Sequence, residues 1–159
     1  ATELLRILNP IHRTTSLTGA YAYKVEPYVL SADIYAEPPH ARRGGWTWYT
    51  GAAGWFYRAG LESILGLTVR NHRLHFAPCI ASAWRHYDLT YRHGEARYEI
   101  QVENPQGVEQ GVISIDLDGE SQSIEAGILL VDDGQVHRVR VTLGPIDPLE
   151  GPSSPARKD

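Results

Sequence analysis

Methionine is absent from the 159 residues, cysteine occurs once and phenylalanine twice. A single cysteine, Cys79, excludes an internal disulfide and a cysteine-based zinc site. No run approaches the roughly 20 apolar residues of a membrane-spanning helix, and no basic-then-apolar signal opens the chain. Basic residues are outnumbered, so the formal charge is -4 and no basic face offers itself to DNA or other nucleic acid. The missing methionine has two readings: an initiator removed ahead of Ala1, or a chain cut from something longer.

What is present needs a folded core. Apolar residues make up 42% and charged residues 21%, and the four Trp and nine Tyr exclude disorder as the overall state. The length suits one domain or two small ones. The apolar pattern changes character near residue 72, from helical spacing to alternation. Thr2 can cap a short helix carrying Leu4, Leu5, Ile7 and Leu8 that Pro10 stops. Residues 11–25 have no sustained period and read as a loop. Pro27 suits the first position of a second helix to about Ala36, ended by Glu37-Pro38-Pro39. A loop over 37–49 follows. A third helix is expected from about Gly51 to Leu65, with Thr50 at its N-cap and Gly66 just past its end. Its apolar residues, Trp55, Phe56, Leu61 and Ile64 among them, cover most of its circumference, which predicts burial on nearly all sides.

Beyond residue 72 short strands dominate. Tyr98, Ile100 and Val102 alternate with Arg97, Glu99, Gln101 and Glu103, the signature of a half-buried strand. It pairs naturally with Tyr87–Arg92 through a turn at His93-Gly94. Further strands fit Val112–Leu117, Gly127–Val131 and Val136–Leu143, with hairpin dipeptides at Asp118-Gly119 and Asp133-Gly134. Five or six strands then form a compact antiparallel unit, and the proline-rich end from residue 145 reads as an unfolded tail.

Chemistry concentrates between Gly44 and Trp55. Gly44-Gly45-Trp46-Thr47-Trp48-Tyr49-Thr50-Gly51 feeds the first turn of the third helix. Free N–H groups there favour an anion, Gly51 allows close approach, and Thr50 adds a hydroxyl. Arg42 and Arg43 can add charge. The spacing alone fits two readings, a phosphate cradle or an ordinary capped helix. Trp46 and Trp48 are candidate walls of a sugar site, because aromatic faces stack on sugar rings, whereas Trp55 reads as core. His72, His75, His86 and His93 invite a metal reading, yet they sit where side chains need not converge, and no metal site is assigned. No GxSxG elbow is present. Cys79 reads as an inert buried thiol. Glu26 and Asp33 would share one face of the second helix, with nothing to mark either as a catalytic acid.

Several runs carry a family likeness. They are Asn9-Pro10-Ile11-His12, Lys24-Val25-Glu26-Pro27-Tyr28-Val29, GGWTWYTGAAGWFYRAGLESILGL (Gly44 to Leu67), Phe76-Ala77-Pro78-Cys79-Ile80 with Trp84, and Ala96–Ile100 with Val102-Glu103-Asn104-Pro105. In this order and spacing the chain resembles the C-terminal part of family 94 glycoside phosphorylases, in particular that region of bacterial cyclic β-1,2-glucan synthases. The resemblance implies an α+β architecture. Residues 1–71 would be the last helices of an (α/α)6 toroid, 72–144 a small antiparallel β-sandwich, and 145–159 a disordered tail. It also implies inverting phosphorolysis, in which inorganic phosphate, a co-substrate rather than a cofactor, cleaves a β-glucoside to α-glucose 1-phosphate. The family's phosphate-binding Thr-Gly pair matches Thr50-Gly51. Its general acid belongs to segments upstream of Ala1, so no catalytic residue is assigned here and the chain alone is expected to be inactive. Val29-Leu30-Ser31-Ala32-Asp33 lacks the acceptor-side Gln of disaccharide phosphorylases, which favours a β-1,2-glucan over a disaccharide. The implied partners are that glucan, phosphate and the remainder of the toroid. The resemblance admits an inner-membrane-associated parent, of which this would be a soluble cytoplasmic portion. A non-catalytic carbohydrate-binding module using Trp46 and Trp48, and a remnant without function, are the competing readings.

Overall fold

The computed structural model describes residues 2–48 and 51–146. It divides into two compact units, one up to Leu65 and one from Gly66. Short helices dominate the first and small sheets the second, so the chain is a mixed α+β protein. Among the described residues no helix is long and apolar enough to cross a membrane.

The first unit opens with α1 (Thr2–Leu8), α2 (Pro10–Arg13) and α3 (Leu17–Tyr23). Pro10 does more than stop α1. It begins α2, where its missing N–H is no loss, and the Asn9 side chain caps the turn by accepting from Ile11 N at 3.0 Å. The loop expected over 11–25 is therefore largely helical. Ser16 Oγ accepts from Gly19 N at 3.1 Å to start α3, and Lys24 ends it in the left-handed region at φ 54°. Two short, well-capped turns escape a periodicity argument because neither is long enough to show a period.

The helix expected from Pro27 to Ala36 does not form. Tyr23, buried, donates its hydroxyl to the Val29 carbonyl at 3.1 Å and shares a 3.2 Å hydrogen bond with Ser31 Oγ. Beyond it the backbone pairs across instead of along: β1 (Asp33–Ile34) runs antiparallel to β2 (Gly44–Gly45). Flanking bonds extend the ladder, from Ala32 N to Trp46 O (3.1 Å) and Tyr35 N to Arg43 O (3.0 Å). The expected helix over 51–65 is present as α4 (Ala52–Arg58), continuing into a π-helical stretch over Ala59–Ile64.

In the second unit the strand pattern begins at Leu67, ahead of the change expected near residue 72. β3 (Leu67–Arg70) and β4 (Arg73–Phe76) form a hairpin whose turn residues Asn71 and His72 both take positive φ. β5 (His86–His93) and β6 (Ala96–Glu103) form the expected hairpin in full register. β7 (Val112–Leu117) and β8 (Glu120–Gln122) turn at Asp118-Gly119, and β9 (Ile128–Leu129) joins β4. β10 (Val136–Leu143) lies between β6 and β7, giving the order β5-β6-β10-β7-β8 beside the sheet β3-β4-β9.

β10 runs parallel to β6, Val136 opposite Arg97 through Thr142 opposite Glu103, so the larger sheet is mixed and not purely antiparallel. Asp133-Gly134 is a turn but joins no hairpin, because β9 and β10 belong to different sheets. The alternation in β6 holds: Tyr98, Ile100 and Val102 are buried together with Ile115, Val139 and Val141 of the neighbouring strands. Asn104, fully buried, ends β6; its amide donates to Trp84 O (2.9 Å) and Val108 O (2.8 Å) and accepts from Val108 N (2.9 Å). The tail expected from residue 145 lies, from 147 onward, outside the described residues.

Candidate functional site

The Gly-Trp-rich loop is built on a glycine floor. Gly44 and Gly45 are buried in β2, and a Cβ on Gly44 would sit 2.8 Å from Val25 Cγ2 and 3.0 Å from Tyr23 Cε2. On Gly45 it would meet the Asp33 carboxylate and, at 2.9 Å, Tyr35 Oη. Only glycine lets the strand lie this close to α3 and β1. From that floor the chain turns outward. Trp46 and Trp48 take φ of 48° and 69°, a left-handed conformation unusual for aromatic residues. Both are exposed, at 71% and 67% of their surface, so two indole faces stand in solvent with no packing role there. Strain of this kind is held by the surrounding structure, here by the β1–β2 ladder that pins Trp46 O.

Thr50 lies outside the described residues, and so does Tyr49. Gly51, exposed, is the N-cap of α4, with φ −75°; its carbonyl accepts from Trp55 N at 3.0 Å. The cap therefore falls one residue later than the Thr50 expected there, and it has no side chain.

A second set of residues joins the loop. Lys24, His40, Arg43 and Tyr35 line a hollow of about 470 Å³ together with Gly44, Gly45, Trp46 and Thr47. Trp46 is thus a wall of this hollow, whereas Trp48 is not among its lining residues. Lys24, His40 and Tyr35 were not singled out by sequence reasoning. The signal available was the run His40-Ala41-Arg42-Arg43; Lys24 is remote in sequence and reaches the hollow only through the α3 cap.

Other expectations change. Trp55, expected in the core, is 71% exposed, and the Arg58 guanidinium lies 5.5 Å from its ring centroid. Arg58 in turn pairs with Glu62 at 2.9 Å. No residue of α4 is buried and only Ile64 is buried in the π-helical stretch after it, so this chain leaves the apolar circumference of the helix largely uncovered. Beside α4, an apolar groove of about 360 Å³ runs between Leu4, Leu8, Leu30, Trp55, Phe56 and Ile64. Cys79 is exposed, not buried. Asp33 stands in β1 and Glu26 in a turn, so they share no helix face. His72 occupies a turn, His75 lies on β4, and His86 and His93 close opposite ends of β5. Among the described residues no group of three or more His, Cys, Asp and Glu side chains is placed to hold a metal ion.

Comparison with known proteins places these residues in context. Residues 1–66 match the family model described as glycosyl hydrolase 94 superfamily, catalytic domain. The chain is 41% identical over 130 residues to the cyclic beta-(1,2)-glucan synthase NdvB of Rhizobium meliloti (strain 1021), an alignment covering 82% of this chain and 5% of that protein. It is 33% identical over 146 residues to the N,N'-diacetylchitobiose phosphorylase of Vibrio furnissii, covering 91% of this chain and 17% of the relative. The corresponding enzyme of Vibrio proteolyticus is 39% identical over 139 residues, with 86% and 17% covered. The chain thus spans a small fraction of the length of each of these relatives.

Proposed function

Because residues 1–66 belong to the catalytic domain of the glycosyl hydrolase 94 superfamily, we propose that the chain is the C-terminal portion of a β-1,2-glucan-processing enzyme. The parent would be a cyclic β-1,2-glucan synthase or a 1,2-β-glucan phosphorylase. In this reading α1–α4 are the last helices of an (α/α)6 toroid, and the sheets from Leu67 onward are the accompanying β-sandwich domain. The observation that carries it is the glycine-floored loop, which turns Trp46 and Trp48 outward just ahead of the N-terminus of α4.

The chemistry is inverting phosphorolysis. A carboxylic acid protonates the glycosidic oxygen as phosphate attacks the anomeric carbon from the opposite face, releasing α-glucose 1-phosphate. This chain supplies the binding side. The Thr50 hydroxyl and the Gly51 N–H donate to phosphate oxygens, and Trp46 and Trp48 offer faces to the glucan. The general acid comes from the remainder of the toroid, so the partners are the glucan, inorganic phosphate and those helices. Mixed with β-1,2-glucan and phosphate, this chain alone releases no glucose 1-phosphate; detectable release overturns the reading. In a polypeptide that also carries the acid-bearing helices, Thr50→Val raises the KM for phosphate about tenfold or more, the scale of one hydrogen bond to a charged group. An unchanged KM removes Thr50 from the phosphate site.

The exposure of both tryptophans favours a second reading, a non-catalytic carbohydrate-binding module. That reading requires glucan binding by this chain that is lost on Trp48→Ala and indifferent to phosphate.

A further inference from the structure

We propose that the hollow beside β2 is a subsite for an oxyanion carried by a saccharide, a carboxylate or a phosphate, held by Lys24, His40 and Arg43 with Trp46 against the sugar ring. The proposal rests on the reading above that the chain handles sugars, and it adds a charge preference which that reading does not contain.

The chain as a whole is acidic, at -4, yet two permanent cations and an imidazole line one hollow of about 470 Å³. Arg6, Arg58, Arg97 and Arg140 each meet a carboxylate within the ion-pair range. Among the described residues Lys24 and Arg43 have no such partner, so their charge remains available to a ligand. Asp33 is the acidic neighbour to account for. Its carboxylate abuts Gly45, and it is not among the residues lining the hollow. An Arg fork and a Lys ammonium together match the oxygens of a carboxylate or phosphate. A neutral ligand would leave that charge unanswered.

The frame is preorganised. Lys24 is fixed as the left-handed cap of α3, its N–H bonded to Ala20 O at 2.9 Å. Arg43 is held on both sides, its N–H donating to His40 O (3.0 Å) and its carbonyl accepting from Tyr35 N (3.0 Å). Arg42 takes φ 73° and donates to Tyr35 O at 2.7 Å, closing the loop that carries His40. Binding therefore orders side chains on a backbone that is already set. The volume falls in the about 300–1,000 Å³ range of small-molecule sites, well beyond a bare anion. Trp46 supplies the apolar face that a sugar ring uses and a bare phosphate does not.

Calorimetric titration of the whole chain tests this with glucuronic acid, glucose 6-phosphate, inorganic phosphate and glucose as probes. The two anionic sugars bind, glucose binds at least tenfold more weakly, and added salt weakens the anionic sugars. Arg43→Gln and Lys24→Gln, both at exposed positions, each weaken the anionic sugars at least fivefold and leave the melting temperature in place. Arg43→Lys retains part of the binding. Equal binding of glucose and glucuronic acid overturns the proposal, and so does anion binding that survives Arg43→Gln with Lys24→Gln. Inorganic phosphate binding as tightly as glucose 6-phosphate overturns the saccharide part and leaves a plain anion site. β-1,2-Glucan bound without any preference for anionic sugars sinks this subsite alone. A phosphate KM indifferent to Thr50 sinks the phosphorolysis reading alone.

Discussion

His137, on β10, has Nδ1 2.8 Å from Asp118 Oδ2 and Nε2 3.3 Å from Asp133 Oδ1. Its ring stacks on Tyr98 with centroids 4.8 Å apart, and Tyr98 Oη accepts from Val131 N at 2.8 Å. The Asp118 hydrogen bond first, and then Asp133, hold the imidazole above the ordinary histidine value against the opposing effect of burial. Burial pushes the Asp118 carboxyl up, but the Arg138 amide and His137 outweigh it, and its value falls below normal. Asp133 is lowered by the Gln135 amide and then by His137. A raised histidine contributes stability in full below its unfolded value of about 6.5 and loses it as pH rises through the higher folded value. The lowered carboxylates contribute above their unfolded value of about 3.9 and lose it as pH falls through the lower folded ones. The cluster therefore stabilises most between those limits. Melting curves are expected to show stability declining as pH rises above about 6.5 through the raised histidine value. His137→Phe, which keeps a stacking ring, costs about 1–2 kcal/mol at mildly acidic pH and less at alkaline pH. A penalty of equal size across the range shows that the charge of His137 contributes nothing.

At the scale of elements, glycines with similar local sequence have opposite roles. Gly54 lies in α4 and a Cβ there meets nothing within 4 Å, so Gly54→Ala should stabilise by about 0.5–1 kcal/mol through helix propensity. Gly45→Ala drives a methyl into the Asp33 carboxylate and Tyr35 Oη, both ends of exposed side chains that can swing aside, and should cost up to about 1 kcal/mol. It should also shift tryptophan fluorescence, because Trp46 follows directly. Urea unfolding compares the two; a neutral Gly45→Ala would mean that the β1–β2 floor yields freely. The same elements show what was legible. β5, β6, β7 and β10 were readable because alternation is a local signal repeated over several residues. α4 was readable from its apolar spacing and Gly-rich start. The region 27–36 departs from the expected helix because Pro27 suits a helix start, whereas the Tyr23 hydroxyl bond to Val29 and the pairing with β2, which draw that backbone into a hairpin, leave no mark on the apolar spacing. The candidate loop was legible as a segment, and its two tryptophans do stand exposed, but their left-handed backbone and the Lys24–His40–Arg43 hollow were not.

Across the whole molecule, the exposed apolar surface of the first unit has a consequence for behaviour in solution. Leu4, Leu8, Trp55 and Tyr57 are all exposed, and the groove beside α4 is lined almost wholly by apolar groups. A patch of that kind binds hydrophobic dyes and promotes association. The chain should therefore enhance the fluorescence of an anilinonaphthalene dye and sediment as larger species with rising concentration, and Leu4→Glu with Trp55→Glu should reduce both. Dye binding unchanged by the pair would place the exposed surface elsewhere. The sequence by itself determined that helices dominate the first part and strands the second, the alternating strands, the family likeness and the loop in which chemistry concentrates. Those rest on short-range patterns and on residue identities. Tertiary structure alone decided that β10 inserts parallel to β6, that Trp55 and Cys79 are exposed, and that Lys24, His40 and Arg43 line one hollow. Each of these depends on which distant backbone a segment pairs with, and a one-dimensional pattern of apolar and polar residues carries no record of that choice.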